Sequence, residues 1–336
     1  MAGPAVTGST LRVGPSGPPL SVDVPEPAVT APLGPPLLIA NPSAGRGRGA
    51  VLERLREALR QRDVTHDAVV TEGPGHASVL ARQAVDDGRR YVVAVGGDGT
   101  VHEVVNGLVD VETGQARAED LVLGVAAAGS GCDLARTFGL DRDPEVIARH
   151  LAGETTMGFD VGRITVTDQQ GGQRRVLFAN IAEAGYGGLV TDLANRLPRW
   201  VGPARYHLAT VSAIRRFRLV RTRVVVDHTE VEEELSNVIV ANGQFFGGGL
   251  RVAPRALPDD GRFNVQVWRG KPADVLRALP DLRVGEHLDR EDVREWQSTT
   301  VRIEAETPLV IEADGEVLGT TPATIDLLPQ PLRLKI

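Results

Sequence analysis

The stretch VVAVGGDGTVHEVVNGL, residues 92–108, joins an apolar run to a segment with helical periodicity through a glycine-rich turn. The apolar run predicts a short strand that is buried on both faces. The segment after the turn predicts a helix, because its apolar residues recur at the spacing of one helix face: Val101, Val104, Val105 and Leu108. The glycines permit positive φ and let a ligand approach the backbone. Free N–H groups and the positive end of the helix dipole then suit an anion such as phosphate.

Two side chains of this stretch predict how the helix begins. Thr100 stands where an N-cap belongs, and Glu103 three residues later completes the pattern of a capping box. A plain strand–turn–helix connection is the alternative, and it needs glycine only for its geometry. That alternative leaves Asp98 without a role, so we interpret the turn as a phosphate-binding loop.

The composition is that of a soluble protein long enough for two domains. The chain has 336 residues, 42% hydrophobic and 24% charged. It has no apolar run that could span a bilayer and no secretory signal, which favours the cytoplasm. A net charge of −7 argues against a nucleic-acid partner. The single cysteine, Cys132, excludes an intrachain disulfide and a thiolate-built metal site.

The basic residues limit how phosphate could be bound. Lysine occurs only at Lys271 and Lys335, and no GxxxxGK[ST] motif is present. Any phosphate must therefore be held by backbone N–H groups, arginines and a metal ion.

The chain divides into four predicted segments. Residues 1–35 are rich in proline, glycine and serine without periodicity and predict a disordered tail. In residues 36–158, strand, loop and helix alternate four times, which predicts an α/β domain with a doubly wound, mostly parallel sheet. Ligands bind at the carboxyl ends of the strands in such sheets.

The sequence pattern changes near residue 159, and the new pattern continues to about residue 325. Alternating apolar runs around Gly171–Gly172 indicate a hairpin, and further short runs predict an antiparallel β-sandwich domain. One helical segment, near residues 205–219, interrupts it. The sequence leaves open whether the last strand, residues 326–336, returns to the first domain.

Three more stretches are candidates for chemistry. AAAGSGCDLARTFGL, residues 126–140, repeats the strand–glycine–helix pattern, and Ser130 caps that helix or contacts phosphate. The stretch from residue 241 to residue 263 contains three consecutive glycines and the turn PDDG, whose Asp259 and Asp260 could hold a hard cation or form an ordinary solvated turn. EADGE, residues 312–316, is by itself a hairpin turn.

These motifs together resemble a known family. GGDGTVHEVVNGL, AGSGCDLARTFGL, GQFFGGGLRVAPRALPDDGRF and DGE, in this order, closely resemble the bacterial diacylglycerol kinase-like lipid kinases, which are related to the eukaryotic diacylglycerol, sphingosine and ceramide kinases. The resemblance runs from about Leu37 to the C-terminus. GGDGT alone is shared with NAD kinases, and a variant occurs in phosphofructokinases, so the first domain is expected to have that fold.

The resemblance implies an ATP-dependent kinase that transfers the γ-phosphate to the hydroxyl of diacylglycerol or a similar lipid alcohol. ATP would lie between the glycine loops, and the β-sandwich would meet the lipid. The positions implied for nucleotide binding are Asn41, Thr71, Gly96, Gly97, Asp98, Gly99, Thr100, Val101, His102, Glu103 and Ser130. A structural Mg²⁺ would be held by the Asp260 carboxylate and the carbonyl groups of Leu257 and Arg262. Asp314 matches the general base that takes the proton from the lipid hydroxyl.

Two residues depart from the family's pattern. Asparagine is usual where this chain has His102 and again where it has Cys132. A histidine still forms hydrogen bonds, whereas a thiol is a poor donor and acceptor. The second departure puts one polar contact in doubt, while Asp133 keeps the motif's acid.

A stripe of arginines suggests a membrane contact. Residues 193–226 contain no acidic residue and eight arginines, at positions 196, 199, 205, 215, 216, 218, 221 and 223. This pattern suits a patch on anionic lipid, and hence a peripheral membrane protein. The alternative is a basic face paired with the acidic run at residues 230–234.

Two other functions stay open at this point. One is a NAD kinase-like small-molecule kinase, and the other is a lipid-binding protein that has lost catalysis. The sequence fixes neither the lipid nor the oligomeric state, so a homodimer is compatible with it.

Overall fold

The computed structural model describes residues 33–44, 49–129, 131–168, 170–198, 201–202 and 204–336. Most of the predicted N-terminal tail, Ser130 and Arg199 lie outside these residues. The helices are α1 Ala50–Arg60, α2 His76–Asp86, α3 Asp98–Leu108, α4 Asp133–Thr137, α5 Pro144–Ala152, α6 Tyr186–Arg196, α7 Ala204–Arg216 and α8 Pro272–Val284. The strands are β1 Leu37–Ala40, β2 Asp67–Val70, β3 Tyr91–Gly96, β4 Val122–Ala127, β5 Thr156–Thr167, β6 Gln173–Phe178, β7 Ile181–Gly185, β8 Val220–Val226, β9 Thr229–Leu235, β10 Asn237–Ala241, β11 Phe263–Trp268, β12 Val293–Ser298, β13 Thr300–Ala305, β14 Val310–Ala313 and β15 Glu316–Lys335.

The N-terminal unit is an α/β domain, as the sequence predicts. β1 to β4 are parallel in the order β2-β1-β3-β4. One face of this sheet packs on α2 and α3 and the other on α1 and α5, so the central strands β3 and β4 are buried throughout. The carboxyl ends of β1, β3 and β4 therefore point toward one edge, where the glycine-rich loops begin.

The C-terminal unit is an antiparallel β-sandwich, which also confirms the predicted fold class. One sheet has the order β12-β11-β10-β7-β14-β15, and the other contains β9, β8, β13, β5 and β6. Alternate residues of both sheets fill a common core, in which the rings of Phe178 and Phe263 stack with centroids 5.7 Å apart.

Two long paired strands run through both units. β5 pairs antiparallel with β15 from Thr156 opposite Lys335 to Thr167 opposite Thr320. The predicted domain limits at residues 158 and 325 both fall inside these strands. Arg333 and Leu334 also pair in parallel with Val122 and Leu123 of β4, so the sheets of the two units are continuous through β15.

The described residues of the C-terminal unit form three α-helices, so the prediction of a single helical segment was wrong. α6 begins with Tyr-Gly-Gly and α8 contains Pro280, and both features lower the intrinsic helix propensity. Packing favours the helices in spite of this, because the ring of Tyr186 on α6 meets Phe217 edge-on at 6.0 Å. No helix of the described part of the chain has the length and apolar character needed to cross a bilayer.

Candidate active site

The two glycine-rich loops meet at the carboxyl edge of the parallel sheet. Ala128 N–H and Gly129 N–H both donate to the carbonyl oxygen of Gly96, at 2.8 and 3.1 Å. A Cβ added at Gly129 would lie 2.4 Å from the Cα of Gly97, so the loops are in direct backbone contact. This contact requires glycine, and it joins the starts of α3 and α4 in one cleft.

The predicted capping box at the start of α3 was wrong. α3 begins at Asp98, its N-cap is Gly97, and Thr100 lies within the first turn. The carboxylate of Glu103 instead accepts from the N–H groups of Gly75 and Ala77, at 2.8 and 3.0 Å, and so caps α2. No described side chain forms a capping hydrogen bond at the N-terminus of α3, so the N–H groups of its first turn are suited to an anion.

Two carboxylates flank Gly131 in this cleft. Asp98 Oδ1 accepts from Leu134 N–H at 3.1 Å, and Asp133 Oδ2 accepts from Gly248 N–H at 2.8 Å. Asp133 Oδ1 is fully buried and has no hydrogen-bond partner among the described residues. Burial, and then the charge of Asp98, raise the pKa of Asp133. Arg136 Nε lies 3.7 Å from Asp133 Oδ1 in an ion pair. The two neighbouring carboxylates offer hard oxygen ligands of the kind that a divalent cation takes.

Cys132 occupies a backbone position that explains the asparagine usual in related chains. It adopts φ 53°, in the left-handed region that asparagine tolerates better than most residues. Its Sγ lies 3.6 Å from the carbonyl oxygen of Gly96 and 3.4 Å from that of Gly129. Burial raises the pKa of the thiol to about 11. The protonated thiol thus still contacts both glycine loops, as a weak donor.

A small apolar pocket opens beside the loops at the ends of β1, β3 and β4. Its lining residues are Ala40, Asn41, Pro42, Ala44, Gly49, Val51, Leu52, Val70, Val95 and Ala128. Asn41 lies in the wall of this pocket. Thr71 is buried at the end of β2, where its N–H donates to Ala40 O at 2.9 Å.

Asp314 lies at the turn between β14 and β15 and reaches the helix of the first glycine loop. Its carboxylate accepts from His102 Nδ1 at 3.0 Å, and its side chain is 1% exposed. The backbone N–H groups of Ala179, Asn180 and Ile181 also donate to it, at 2.8, 2.9 and 3.2 Å. The second unit therefore places a fixed negative charge against α3 of the first.

Oxygen atoms of the PDDG turn already accept hydrogen bonds from backbone N–H groups of the same turn. Asp260 Oδ1 accepts from Arg262 N–H at 2.9 Å, and the carbonyl group of Leu257 accepts from Asp260 N–H at 3.4 Å. Burial raises the pKa of Asp260 and also that of Asp160. The carboxylate of Asp160 accepts a hydrogen bond from Gly261 N–H of the same turn. No group of three or more His, Cys, Asp or Glu side chains suited to a metal ion occurs in the described ranges.

A buried pair of glutamates lies beneath the Asp314 turn. Glu183 on β7 and Glu312 on β14 are directly opposite each other, and both are buried. Glu183 accepts from Asn237 Nδ2 at 3.1 Å, and Glu312 accepts from Gly315 N–H at 2.9 Å. Burial raises the pKa of Glu183 from its usual 4.5 to about 7. Burial, and then the charge of Glu183, raise the pKa of Glu312 well above its usual value.

We expect Glu312→Gln to stabilise the protein at pH 8 and to change it little at pH 5. The folded pair holds a proton that the unfolded chain releases above about pH 4.5, so wild-type stability falls as the pH rises from about 4.5 to 7. The amide keeps an acceptor for Gly315 N–H and gives a donor to Glu183. Burial and the charge of Glu183 both oppose ionisation of Glu312 in the folded protein, and the neutral amide removes both costs.

Denaturant unfolding at the two pH values measures this difference. Glu234→Gln is the matched control, because Glu234 is exposed on β9 and changes the formal charge equally. An increase in stability that is the same at pH 5 and pH 8 would show that the two carboxyl groups do not share the proton.

The arginine stripe separates into two parts. Arg221 and Arg223 on β8 form ion pairs of 2.8 Å with Glu232 and Glu230 on β9, so the alternative of a paired basic face holds there. Arg215 and Arg216, at the end of α7, are exposed and form no ion pair with the described residues. Leu208 and Val211 on the same helix are 56% and 51% exposed.

The structure brings only some of the predicted site residues together. Gly96 and Gly97 contact the second glycine loop, and Asp314 bonds to His102. Asn41 lines the apolar pocket, Val101 packs in the core, Glu103 caps α2, and Ser130 lies outside the described residues. Leu257, Asp260 and Arg262 lie together at the PDDG turn. Sequence reasoning missed the amide groups of residues 179–181 and the buried glutamate pair. Backbone donors carry no sequence signal, and the glutamates stand in runs that predict ordinary strands.

Comparison with known proteins gives the class of the chain. The model of the diacylglycerol kinase catalytic domain matches residues 35–164, and that of the YegS C-terminal NAD kinase beta sandwich-like domain matches residues 180–336. A diacylglycerol kinase of Mycobacterium tuberculosis (strain H37Rv) is 30% identical over 306 residues, which are 88% of this chain and 93% of the relative. The crystal structure of a diacylglycerol kinase from Bacillus anthracis str. Sterne superposes with a TM-score of 0.66 at 20% identity, over 90% of this chain and 96% of that one.

These matches cover both units and nearly the whole length of each relative. The chain therefore belongs to the bacterial diacylglycerol kinase-like lipid kinase family, and the resemblance seen in its motifs is confirmed. As a member it is a kinase of the lipid kinase class.

Proposed function

We propose that the protein transfers the γ-phosphate of ATP to the hydroxyl of diacylglycerol or a similar lipid alcohol. The observation that carries this proposal is the hydrogen bond of 3.0 Å between His102 and Asp314. It brings a charged group of the β-sandwich against the helix that starts at the first glycine loop. Phosphoryl transfer needs the acceptor hydroxyl in line with the γ-phosphate, and in the proposed reaction His102 and Asp314 would lie between the nucleotide and the lipid.

The nucleotide would lie along the carboxyl edge of the parallel sheet. The N–H groups at the start of α3 suit the phosphates. Asn41, Thr71, Val101 and Ser130 belong to the proposed nucleotide site through the resemblance. Glu103 would act on it indirectly, because its carboxylate caps α2.

A divalent cation fits the residues of the cleft. Asp98 and Asp133 would hold Mg²⁺ that enters with ATP, because their carboxylates flank Gly131 from two sides and are hard oxygen ligands. Such an ion neutralises charge that develops on the transferred phosphoryl group. The Asp260 carboxylate and the carbonyl groups of Leu257 and Arg262 are hard oxygen donors suited to a second, structural Mg²⁺ at the PDDG turn.

Helix α7 would rest on the membrane that supplies the lipid, which makes the protein peripherally associated. Its exposed face combines Leu208 and Val211 with Arg215 and Arg216. Apolar side chains that enter the interface beside arginines that contact anionic headgroups are typical of such helices. The arginines of β8 contribute little, because they are already paired.

We expect the double substitution Arg215→Gln, Arg216→Gln to weaken binding to phosphatidylserine-containing vesicles by about thirtyfold at low salt. Each basic residue near an anionic surface contributes about 1 kcal/mol, and salt reduces the effect. Arg218 is left in place, since its guanidinium donates to the carbonyl groups of Arg215 and Phe217. Vesicle sedimentation measures the binding.

Arg221→Gln, Arg223→Gln is the matched control, with the same change of charge on the paired part of the stripe. We expect it to bind vesicles nearly like wild type. Equal losses in both variants would show that net charge governs binding and that α7 has no special role.

Competition between acceptors tests the proposed reaction against a NAD kinase-like one. The protein is incubated with ATP, Mg²⁺ and, in separate tubes, diacylglycerol, sphingosine, ceramide or NAD, and the phosphorylated products are measured. We expect turnover with a lipid and none with NAD. Turnover with NAD alone would contradict the proposal, and binding of lipid without turnover would indicate a protein that has lost catalysis.

A further inference from the structure

His102 and Asp314 form a hydrogen-bonded pair that connects the two units. The distance from Nδ1 to Oδ2 is 3.0 Å, and the two side chains are 10% and 1% exposed. The imidazole is the more accessible member, and it lies on the helix that begins at the glycine loop.

The carboxylate of Asp314 has no free acceptor site. Oδ1 accepts from the N–H groups of Asn180 and Ile181, and Oδ2 accepts from Ala179 N–H and from His102. A carboxylate offers about four lone-pair directions, and four donors occupy them here. A lipid hydroxyl could reach this group only by displacing one of the four from a buried position.

The hydrogen bond also sets the tautomer of His102. A carboxylate surrounded by donors only accepts, so Nδ1 carries the proton and Nε2 of the neutral ring has a free lone pair. Nε2 bonds to no described residue, and it is not among the fully buried atoms that lack a partner. Nε2 is therefore partly exposed, and no described residue occupies its lone pair.

We propose that Nε2 of His102 is the base that takes the proton of the acceptor hydroxyl, with Asp314 as the positioning residue that fixes the ring. The inference rests on the proposed lipid kinase function and deepens it. As the hydroxyl oxygen bonds to the γ-phosphorus, its proton passes to Nε2. The bond from that phosphorus to the β,γ-bridging oxygen breaks, and its electron pair leaves with ADP. Asp314 stabilises the imidazolium, which then returns the proton to solvent.

The charged side chains nearest to His102 along the chain lie on α3 itself, which carries Asp98 one turn earlier and Glu103 next to His102. The titratable or charged side chains of the elements packed on α3 are His76, Arg82 and Asp86 on α2, Tyr91 on β3, and Arg174 and Arg175 on β6. Among the described residues, only Asp314 is hydrogen-bonded to the ring.

The pH profile of lipid phosphorylation in His102→Asn tests the proposal. Imidazoles ordinarily titrate near pH 6.5 and carboxylic acids near pH 4, at about these values. We expect kcat to fall about a hundredfold and the acid limb of kcat/KM to move to lower pH. ATP titrates in the same range, so the comparison uses the same ATP and buffers for both enzymes. His66→Asn, on the segment before β2, is the control and should keep the wild-type profile.

Two further measurements exclude a merely structural role. Added imidazoles should restore activity to His102→Ala, with rates that follow their basicity. A lower rate with an unchanged acid limb and no such rescue would overturn the proposal.

Nitrogen NMR of the wild-type ring needs no turnover: a neutral ring protonated at Nδ1 supports the proposal, and one protonated at Nε2 overturns it. A wild type that phosphorylates no lipid would reject the proposed function, while NMR still decides the state of the ring.

Discussion

Asp314→Asn is expected to lower kcat by about a thousandfold or more and to leave the affinity for ATP within a few-fold of wild type. The amide can keep one oxygen toward the backbone N–H groups, but its NH₂ then faces His102. This reverses the tautomer of the ring and removes the charge that stabilises the imidazolium. In Ser-His-Asp enzymes the same change costs about 10⁴-fold in kcat.

The change is measured as steady-state turnover on diacylglycerol vesicles, with ATP binding followed by calorimetry. Asp227→Asn is a closely matched control. Asp227 also has positive φ, at 47°, and its carboxylate also accepts from backbone N–H groups, those of Thr299 and Thr300. We expect this control to lose some thermal stability and to keep its kcat. If the kcat of Asp314→Asn were within a few-fold of the wild-type value, Asp314 would have no role in catalysis.

Gly129→Ala is expected to lower ATP affinity by about a hundredfold and to destabilise the N-terminal unit by roughly 1–3 kcal/mol, the usual range for overpacking. The added Cβ would lie 2.4 Å from Gly97 Cα and 2.9 Å from Gly97 N, so the backbones of the two loops must separate. This moves the N–H groups at the start of α3, which we propose to bind the phosphates.

Calorimetric titration with ATP and thermal unfolding measure the two effects. Gly153→Ala is the control, because its backbone is extended and its added Cβ would have only ordinary contacts, the nearest at 3.4 Å. If Gly129→Ala bound ATP as wild type does, the contact between the loops would have no part in the nucleotide site.

The sequence predicts the parts of this molecule that depend on local patterns. The buried runs of β3 and β4 and the glycines that follow them identify the parallel sheet and its ligand-binding edge. Which helix a carboxylate caps depends on residues that are distant in the sequence. Glu103 stands at the right spacing to cap α3, yet it reaches α2, because packing places that helix terminus within hydrogen-bond distance.

The pairing of His102 with Asp314 could not be predicted, because the two residues are 212 positions apart and belong to different units. DGE indicates only a turn, and the resemblance assigns Asp314 a role without its partners. The paired arginines of β8 show the same limit. Their charges suggest a single stripe, and only the strand register shows that Glu230 and Glu232 lie opposite them.

The most direct test of the proposed reaction is the stoichiometry of phosphate transfer in one tube. Wild-type protein is incubated with ATP labelled in the γ-phosphate, Mg²⁺ and diacylglycerol vesicles, and labelled lipid and ADP are measured together. We expect one labelled phospholipid for each ADP formed, and neither product above background with Asp314→Asn. ADP formed without labelled lipid, or label in the lipid at the same rate with Asp314→Asn, would contradict a lipid kinase site built on His102 and Asp314.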